Sequence, residues 1–358
     1  MVPGLALVGI GTAFGIPLYW TAGAVVSGSF FGDKISPLSD TTNLAAAVTE
    51  TNVFDHIRNM MPTTIPAMII AFVIYFLVGG QASVDASQLE QITLYKEGLA
   101  SHFDLGVLPL LPLVAVMALA FFKVSPIPAL FTGFALGGLV AAINYGYGLN
   151  DIFTFAHSGF KISSGSQALD SLLNRGGVAS MTWVVTLMMF ALAFGGALER
   201  TRCLESVVSA IMKLTRGFRG LQTNAILTSV ATNAVSGDVY LSIALPGRMY
   251  GPVYDKLGYS RLNLSRAIEE GGTLVSPLIP WNAGGAFVIG ALGLTVVSGD
   301  FSNMLYAPLA FACWLSPAIG IIYAQTGWFS RRAKPDDVDP QNREPAATEL
   351  ASNAAGVI

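Results

Sequence analysis

Five apolar runs, Thr64–Gly79, Gly106–Phe122, Pro126–Ile143, Val178–Leu198 and Tyr306–Tyr323, approach or reach the length of a membrane-crossing helix, about 17–25 residues. Two further hydrophobic stretches are interrupted by nearly the same phrase. The first reads Gly32-Asp33-Lys34-Ile35-Ser36-Pro37-Leu38-Ser39-Asp40-Thr41-Thr42-Asn43. The second reads Gly271-Gly272-Thr273-Leu274-Val275-Ser276-Pro277-Leu278-Ile279-Pro280-Trp281-Asn282. Each places Ser-Pro-Leu just after glycine and closes a short polar run on asparagine. Paired Gly/Pro breaks at corresponding positions of two halves point to the midplane site of a secondary transporter.

Composition agrees with a membrane setting. Of 358 residues, 53% are hydrophobic and 11% charged, where a soluble domain carries about 25% charged residues. The formal net charge of −3 comes with no basic block, so no nucleic-acid partner is expected. Cys203 and Cys313 are solitary, which leaves no disulfide framework or zinc site to read. The first residues lack the charged region and cleavage site of a signal peptide. The hydrophilic stretch 330–358 is expected to be a disordered tail after a transmembrane core over 1–329.

Charge bias in short loops sets orientation. The loop 199–220, with Arg200, Arg202, Lys213, Arg216 and Arg219, is expected in the cytoplasm, as is the tail with Arg331, Arg332 and Lys334. Loop 246–267 is also basic, with Arg248, Lys256, Arg261 and Arg266. All three share one side only if Leu221–Leu245 enters and returns as a re-entrant hairpin with Asn233–Asp238 at its tip, each arm about a dozen residues long. Counting back places loops 145–177 and 81–104 outside and 46–62 inside. The two breaks then run in opposite directions, the relation of inverted repeats. The predicted fold is therefore an all-α polytopic membrane protein of inverted repeats, the second over about 178–328, with a re-entrant hairpin and broken, unwound transmembrane helices.

Non-helical backbone is tolerated at membrane depth only where protein buries it or water reaches it. Pro37, Pro277 and Pro280 remove amides and free carbonyls, and together with Trp281 they are read as walls of a cavity. Ser39, Thr41, Thr42, Asn43, Ser276 and Asn282, with Asn233 and Ser236 at the hairpin tip, would add hard oxygen ligands suited to an alkali cation. Asp40 within the first break, Asp33 at its start and Asp238 at the hairpin tip are the candidate carboxylates, because charge at that depth is costly. A carboxylate that gives up its proton to hold sodium, and loses sodium to regain it, needs no further machinery for exchange. Glu269 and Glu270 read as loop residues near the surface, one of them facing the cavity. Asp33 and Lys34 also read as an interfacial charge pair. His56, His102 and His157 fall in predicted loops and read as solvated. No nucleophile–base set, P-loop or HExxH occurs, so neither enzymatic chemistry nor a cofactor or transition-metal site is expected.

The phrases Gly32 to Ala45, Phe54-Asp55-His56-Ile57-Arg58, Gly237-Asp238-Val239-Tyr240-Leu241-Ser242, Leu245-Pro246-Gly247-Arg248-Met249 and Ser276 to Asn282 resemble the NhaC family of Na+/H+ antiporters. The similarity extends from about residue 5 to residue 328. It implies inverted repeats, each with a re-entrant hairpin and an unwound helix, in a multi-pass protein of the cell membrane. The expected transported ions are Na+ and H+, and the remaining partners are lipid and, as an open alternative, further copies of the chain. The resemblance also implies N-terminal helices that precede Met1, including the tip of the first repeat's hairpin. Two alternatives stand beside Na+/H+ exchange. One is coupled exchange of a small organic acid such as malate or lactate, for which Lys34 is the cation beside a break. The other is a truncated membrane protein that does not transport.

Overall fold

A computed structural model describes residues 2–79, 93, 96–104, 106–122, 124, 126–164, 170, 173–174, 176–212, 217–294 and 301–333. Among the described residues there is no strand, and the one isolated β-bridge joins Tyr259 and Arg332. The chain forms two compact units. One comprises Val2–Leu18 and Gly80–Thr186; the other comprises Met1, Tyr19–Gly79 and Leu187–Ile358. In the first lie α1 (Val2–Ala13), a hairpin of α5 (Leu111–Phe121) and α6 (Pro126–Tyr145), and the short α7 (Leu149–Ser158).

The second unit holds both sequence breaks. Its helices are α2 (Leu18–Lys34), α3 (Asp40–Val48), α4 (Val53–Gly79), most of α8 (Thr182–Arg200), α9 (Cys203–Met212), α10 (Gly217–Ser236), α11 (Val239–Lys256), α12 (Arg261–Gly271), α13 (Ala283–Leu292), α14 (Tyr306–Leu309) and α15 (Phe311–Thr326). On α4 the large side chains Ile65, Ile69, Phe72, Phe76 and Leu77 are exposed, while Thr63, Thr64, Ala67 and Ala71 are buried. A helix that turns its small and polar face inward and a stripe of large apolar side chains outward is built for lipid. Among the described residues, Val53–Gly79, Ile127–Tyr145, Val178–Arg200 and Ser302–Thr326 are long and apolar enough to cross a membrane, and Arg261–Leu278 with Ala283–Leu292 form a broken span bent by 40°. The protein is an all-α, multi-pass membrane protein.

The breaks satisfy their own freed backbone groups. After α2 the chain turns at Ile35–Ser39, and the Thr42 hydroxyl donates to the Lys34 carbonyl at 3.2 Å. The Asn43 amide donates to the carbonyls of Pro37 at 2.8 Å and Ser39 at 2.7 Å. After α12 a short 3₁₀ turn, Ser276–Leu278, precedes the second opening, and Asn282 caps α13 by accepting from the Gly284 amide at 2.9 Å. Between α10 and α11 the chain reverses at Gly237, whose φ of +70° is left-handed, and Asp238 caps α11. Gly237→Ala is expected to cost about 1 kcal/mol through that φ alone, read as a lower melting temperature in detergent.

Several boundaries differ from expectation. Asp40–Asn43 are not part of the unwound stretch but open α3, because extended Ser39 followed by Asp40 makes a good helix start. The amphipathic segment 52–61 is not separate from the span after it; one 27-residue helix contains both, with Pro62 and Pro66 inside. Thr63 and Thr64 hydroxyls donate to the Met60 carbonyl, each at 2.9 Å. The hairpin arms have 20 and 18 residues rather than a dozen, and neither is apolar enough to count as a span. The basic stretch 246–267 is not a loop: Arg248 and Lys256 lie on α11, and Arg261 and Arg266 on α12. Arg261 is helical because its charge is matched in place, by Asp255 at 2.7 Å and Glu50 at 2.5 Å. Ser330 to Ala333, expected in the disordered tail, are bound: Ser260 and Asn263 donate to the Arg331 carbonyl at 3.1 and 2.7 Å. The rest of that tail, most of loop 81–104, the turn residues Lys123 and Ser125, parts of 165–175, Lys213, Arg216 and residues 295–297 lie outside the described residues.

Candidate functional site

Within the second unit, the end of α12 lies between the first break and the hairpin tip. Glu269 and Glu270, expected near the surface, are fully buried there, because each meets polar or charged partners from other helices. One Glu269 oxygen accepts from Thr273 at 2.9 Å and from Thr41, on α3, at 3.3 Å. The other Glu269 oxygen has no hydrogen-bond partner among the described residues. Lys34, at the end of α2, is also fully buried. It pairs with Glu270 at 3.9 Å, not with Asp33, and donates to Ser316 of α15 at 3.1 Å. Among the described residues, neither Glu270 oxygen has a hydrogen-bond donor within range.

Arg266, one turn earlier on α12, is buried and donates to the Asn59 and Phe329 carbonyls at 3.5 and 3.4 Å. His56 is not solvated: α4 carries it inward, its Nδ1 lies 2.7 Å from the Ser265 hydroxyl, and its Nε2 has no hydrogen-bond partner among the described residues. His102 and His157 are exposed. Asp33 is half-buried and close enough to Glu269 and Asp40 to interact with both electrostatically. The carboxylates Asp33, Asp40, Glu269 and Glu270 thus gather near two buried basic groups, Lys34 and Arg266, and outnumber them. In a low-dielectric interior such an excess is costly unless a proton or a cation joins it.

A glycine makes room for the Glu270 carboxylate. A Cβ on Gly320, in α15, would overlap Glu270 itself, with the carboxyl carbon only 2.9 Å away. Gly320→Ala is expected to lower stability by about 1–3 kcal/mol through overpacking, measured as a fall in Tm of the detergent-solubilised protein.

The hairpin tip joins the second break. The Asn233 amide donates to the carbonyls of Gly272 at 2.6 Å and Gly271 at 3.3 Å, and Asn282 donates to Asn233 Oδ1 at 2.5 Å. Ser236 donates to Thr232 O at 2.7 Å, and Ser276 to Thr273 O at 3.0 Å. Pro277 is buried and its carbonyl accepts from Tyr306 at 2.6 Å. Pro280 is half-buried; Trp281 is 55% exposed, and its indole donates to Ala234 O at 2.8 Å. Asp40 is exposed at the start of α3, where one oxygen accepts from the Thr41 amide at 2.9 Å and the other from Tyr240 at 2.5 Å. Ser39 is buried with its hydroxyl 3.1 Å from that of Thr41. Sequence reasoning reads Glu269 and Glu270 as near-surface loop residues, one facing the cavity, and does not single out Arg266, Ser316 or Tyr240 for the site. One signal was readable: an acidic pair precedes one break and a lysine precedes the other.

Broken helices and a helical hairpin that converge on a buried ionic cluster define a multi-pass membrane protein of the secondary-transporter kind. The profile of the Na+/H+ antiporter family matches residues 28–328. The Na(+)/H(+) antiporter NhaC of Bacillus subtilis (strain 168) is 39% identical over 320 residues, covering 89% of this chain and 69% of that protein. The arginine/ornithine antiporter ArcD of Halobacterium salinarum is 35% identical, covering 96% of this chain and 70% of the relative. The malate-2H(+)/Na(+)-lactate antiporter of Bacillus subtilis is 33% identical, covering 91% and 68%. No solved structure matches the chain. The chain belongs to the NhaC group of the Na+/H+ antiporter family.

Proposed function

We propose that this protein exchanges Na+ for H+ across the cell membrane, with Glu269 as the carboxylate at which the two compete. The observation that carries the reading is the half-partnered state of Glu269. One oxygen is held by two threonines from different elements, the other is free, and the whole group is sealed from water where the first break meets α12. Asp33, Ser39 and Thr41 stand around it, while Asn233, Ser276 and Asn282 hydrogen-bond the backbone of the second break. A cation coordinated by hard oxygens suits these residues, and the excess of carboxylates over basic groups favours a bound proton or monovalent cation. No cofactor takes part in such an exchange.

Organic-solute exchange, as named for two of the relatives, is the second reading. Lys34 is the group an organic anion would seek, but it is already engaged by Glu270 and Ser316. That occupancy favours the cation. In vesicles containing the purified protein, a Na+ gradient is expected to drive proton movement without any organic solute. Proton movement that requires malate, lactate or arginine would overturn the assignment in favour of the second reading.

The hairpin of α10 and α11 returns to its starting side in this account, the breaks belong to two inverted repeats in a core over 1–329, and the tail faces the cytoplasm. Single cysteines at Arg202 and Lys256, in a background without Cys203 and Cys313, are expected to react with an impermeant thiol reagent from the cytoplasmic side only. Labelling at Lys256 from outside would mean that the hairpin crosses the membrane.

A further inference from the structure

A cleft of about 330 Å³ in the second unit is lined by Leu192, Glu199, Asp238, Tyr240, Ala244 and Arg248, among others. Tyr240 stands in its wall, and from there a line of hydrogen bonds runs to the buried carboxylate. The Tyr240 hydroxyl donates to Asp40 Oδ2 at 2.5 Å. The adjoining Oδ1 accepts from the Thr41 amide at 2.9 Å, and the Thr41 hydroxyl donates onward to Glu269 at 3.3 Å. Both Asp40 oxygens are therefore occupied by protein donors, and one of those donors stands in the cleft wall. Asp33 and Asp238 also face the same phenol.

We infer that Tyr240 is the positioning residue that clasps the entrance to this site. Its hydroxyl occupies Asp40 Oδ2, so an ion that arrives by the cleft and binds Asp40 must displace it, and exit is assisted by its return. A tyrosine fits the task because the ring anchors on α11 while the hydroxyl offers one donor that can swing aside. The side chain is 44% exposed, so its loss of a hydroxyl leaves little unsatisfied in the fold. The inference rests on the Na+/H+ exchange reading and adds a competitor for the ion at Asp40.

The competition has a signature that structural damage does not produce. Tyr240→Phe keeps the ring and removes the donor, so the ion binds Asp40 without displacing anything. The apparent KM for Na+ is expected to fall roughly fivefold, the scale of an ordinary net hydrogen bond. Because the returning hydroxyl no longer helps to expel the ion, kcat falls with it, as when release limits turnover. In parallel, Na+ should raise the Tm of the purified full chain at correspondingly lower concentration in the variant than in the wild type. This second readout needs no transport. A KM that is unchanged or raised in Tyr240→Phe, or an unaltered Na+ dependence of Tm, overturns the clasp while wild-type exchange stands. Absence of Na+-driven exchange in the wild type overturns the functional reading and the clasp together.

Discussion

Glu269→Gln is expected to abolish Na+-driven proton exchange, to below about one-hundredth of wild type, while the protein still inserts and folds. Glutamine fills the same volume and can still accept from Thr273 and Thr41, so the junction of α12 with the first break keeps its hydrogen bonds. What it loses is the ability to trade a proton for a cation. A neutral amide in a sealed, low-dielectric site offers a monovalent ion no charge to offset its dehydration. Asp40→Asn is expected to do less, raising KM severalfold, because Asp40 lies at the exposed start of α3. Vesicle assays on both variants at matched protein content decide the order. Full exchange by Glu269→Gln would move the chemistry to Asp40, Asp33 or Asp238.

The second large effect is on stability. Lys34→Met removes the ammonium that faces Glu270 across 3.9 Å, in a place where both side chains are fully buried. Breaking one side of a buried ion pair costs about 3–5 kcal/mol, because the remaining charge is left uncompensated. The Ser316 hydroxyl loses its donor as well. Lys34→Met combined with Glu270→Gln should recover most of the loss, since neither charge then remains; contacting residues couple in this non-additive way. The measurement is Tm in detergent for the two single variants and the double. If the two losses simply add, the pair does not hold the helices together.

Much of the architecture was readable because its causes are local. Apolar length and the Ser-Pro-Leu breaks depend on neighbouring residues, and so does the reversal at Gly237-Asp238, where a left-handed glycine precedes a capping aspartate. Helix starts were less visible where polarity resembled a loop. Ser39-Asp40-Thr41-Thr42 looks like an unwound run, yet the same residue types are good helix openers, and α3 begins there. Charge misled in the same manner. Arg261 and Arg266 were assigned to a loop because arginine in a membrane sequence signals water, but Asp255 and Glu50 hold the first, and burial against backbone carbonyls holds the second.

The core of the candidate site was hidden for a different reason. Lys34 and Glu270 come from distant parts of the chain, and so do Thr41 and Glu269 and His56 and Ser265. No periodicity encodes such pairs. The only local trace was the placement of opposite charges just ahead of the two matching breaks. Ser39, Thr41, Asn233 and Asn282 were singled out for their oxygens, and each takes part in the hydrogen bonds around the breaks.

A buried carboxylate that exchanges a proton for Na+ must release that proton when the ion binds, and the release is measurable on the purified protein. In weakly buffered detergent solution with a pH-sensitive dye, NaCl added to the wild-type chain is expected to release about one proton per molecule, as linked binding requires. An equal addition of choline chloride should release none, and Glu269→Gln should release none with either salt. Undiminished Na+-evoked release from Glu269→Gln would place the exchanging carboxylate elsewhere in the protein.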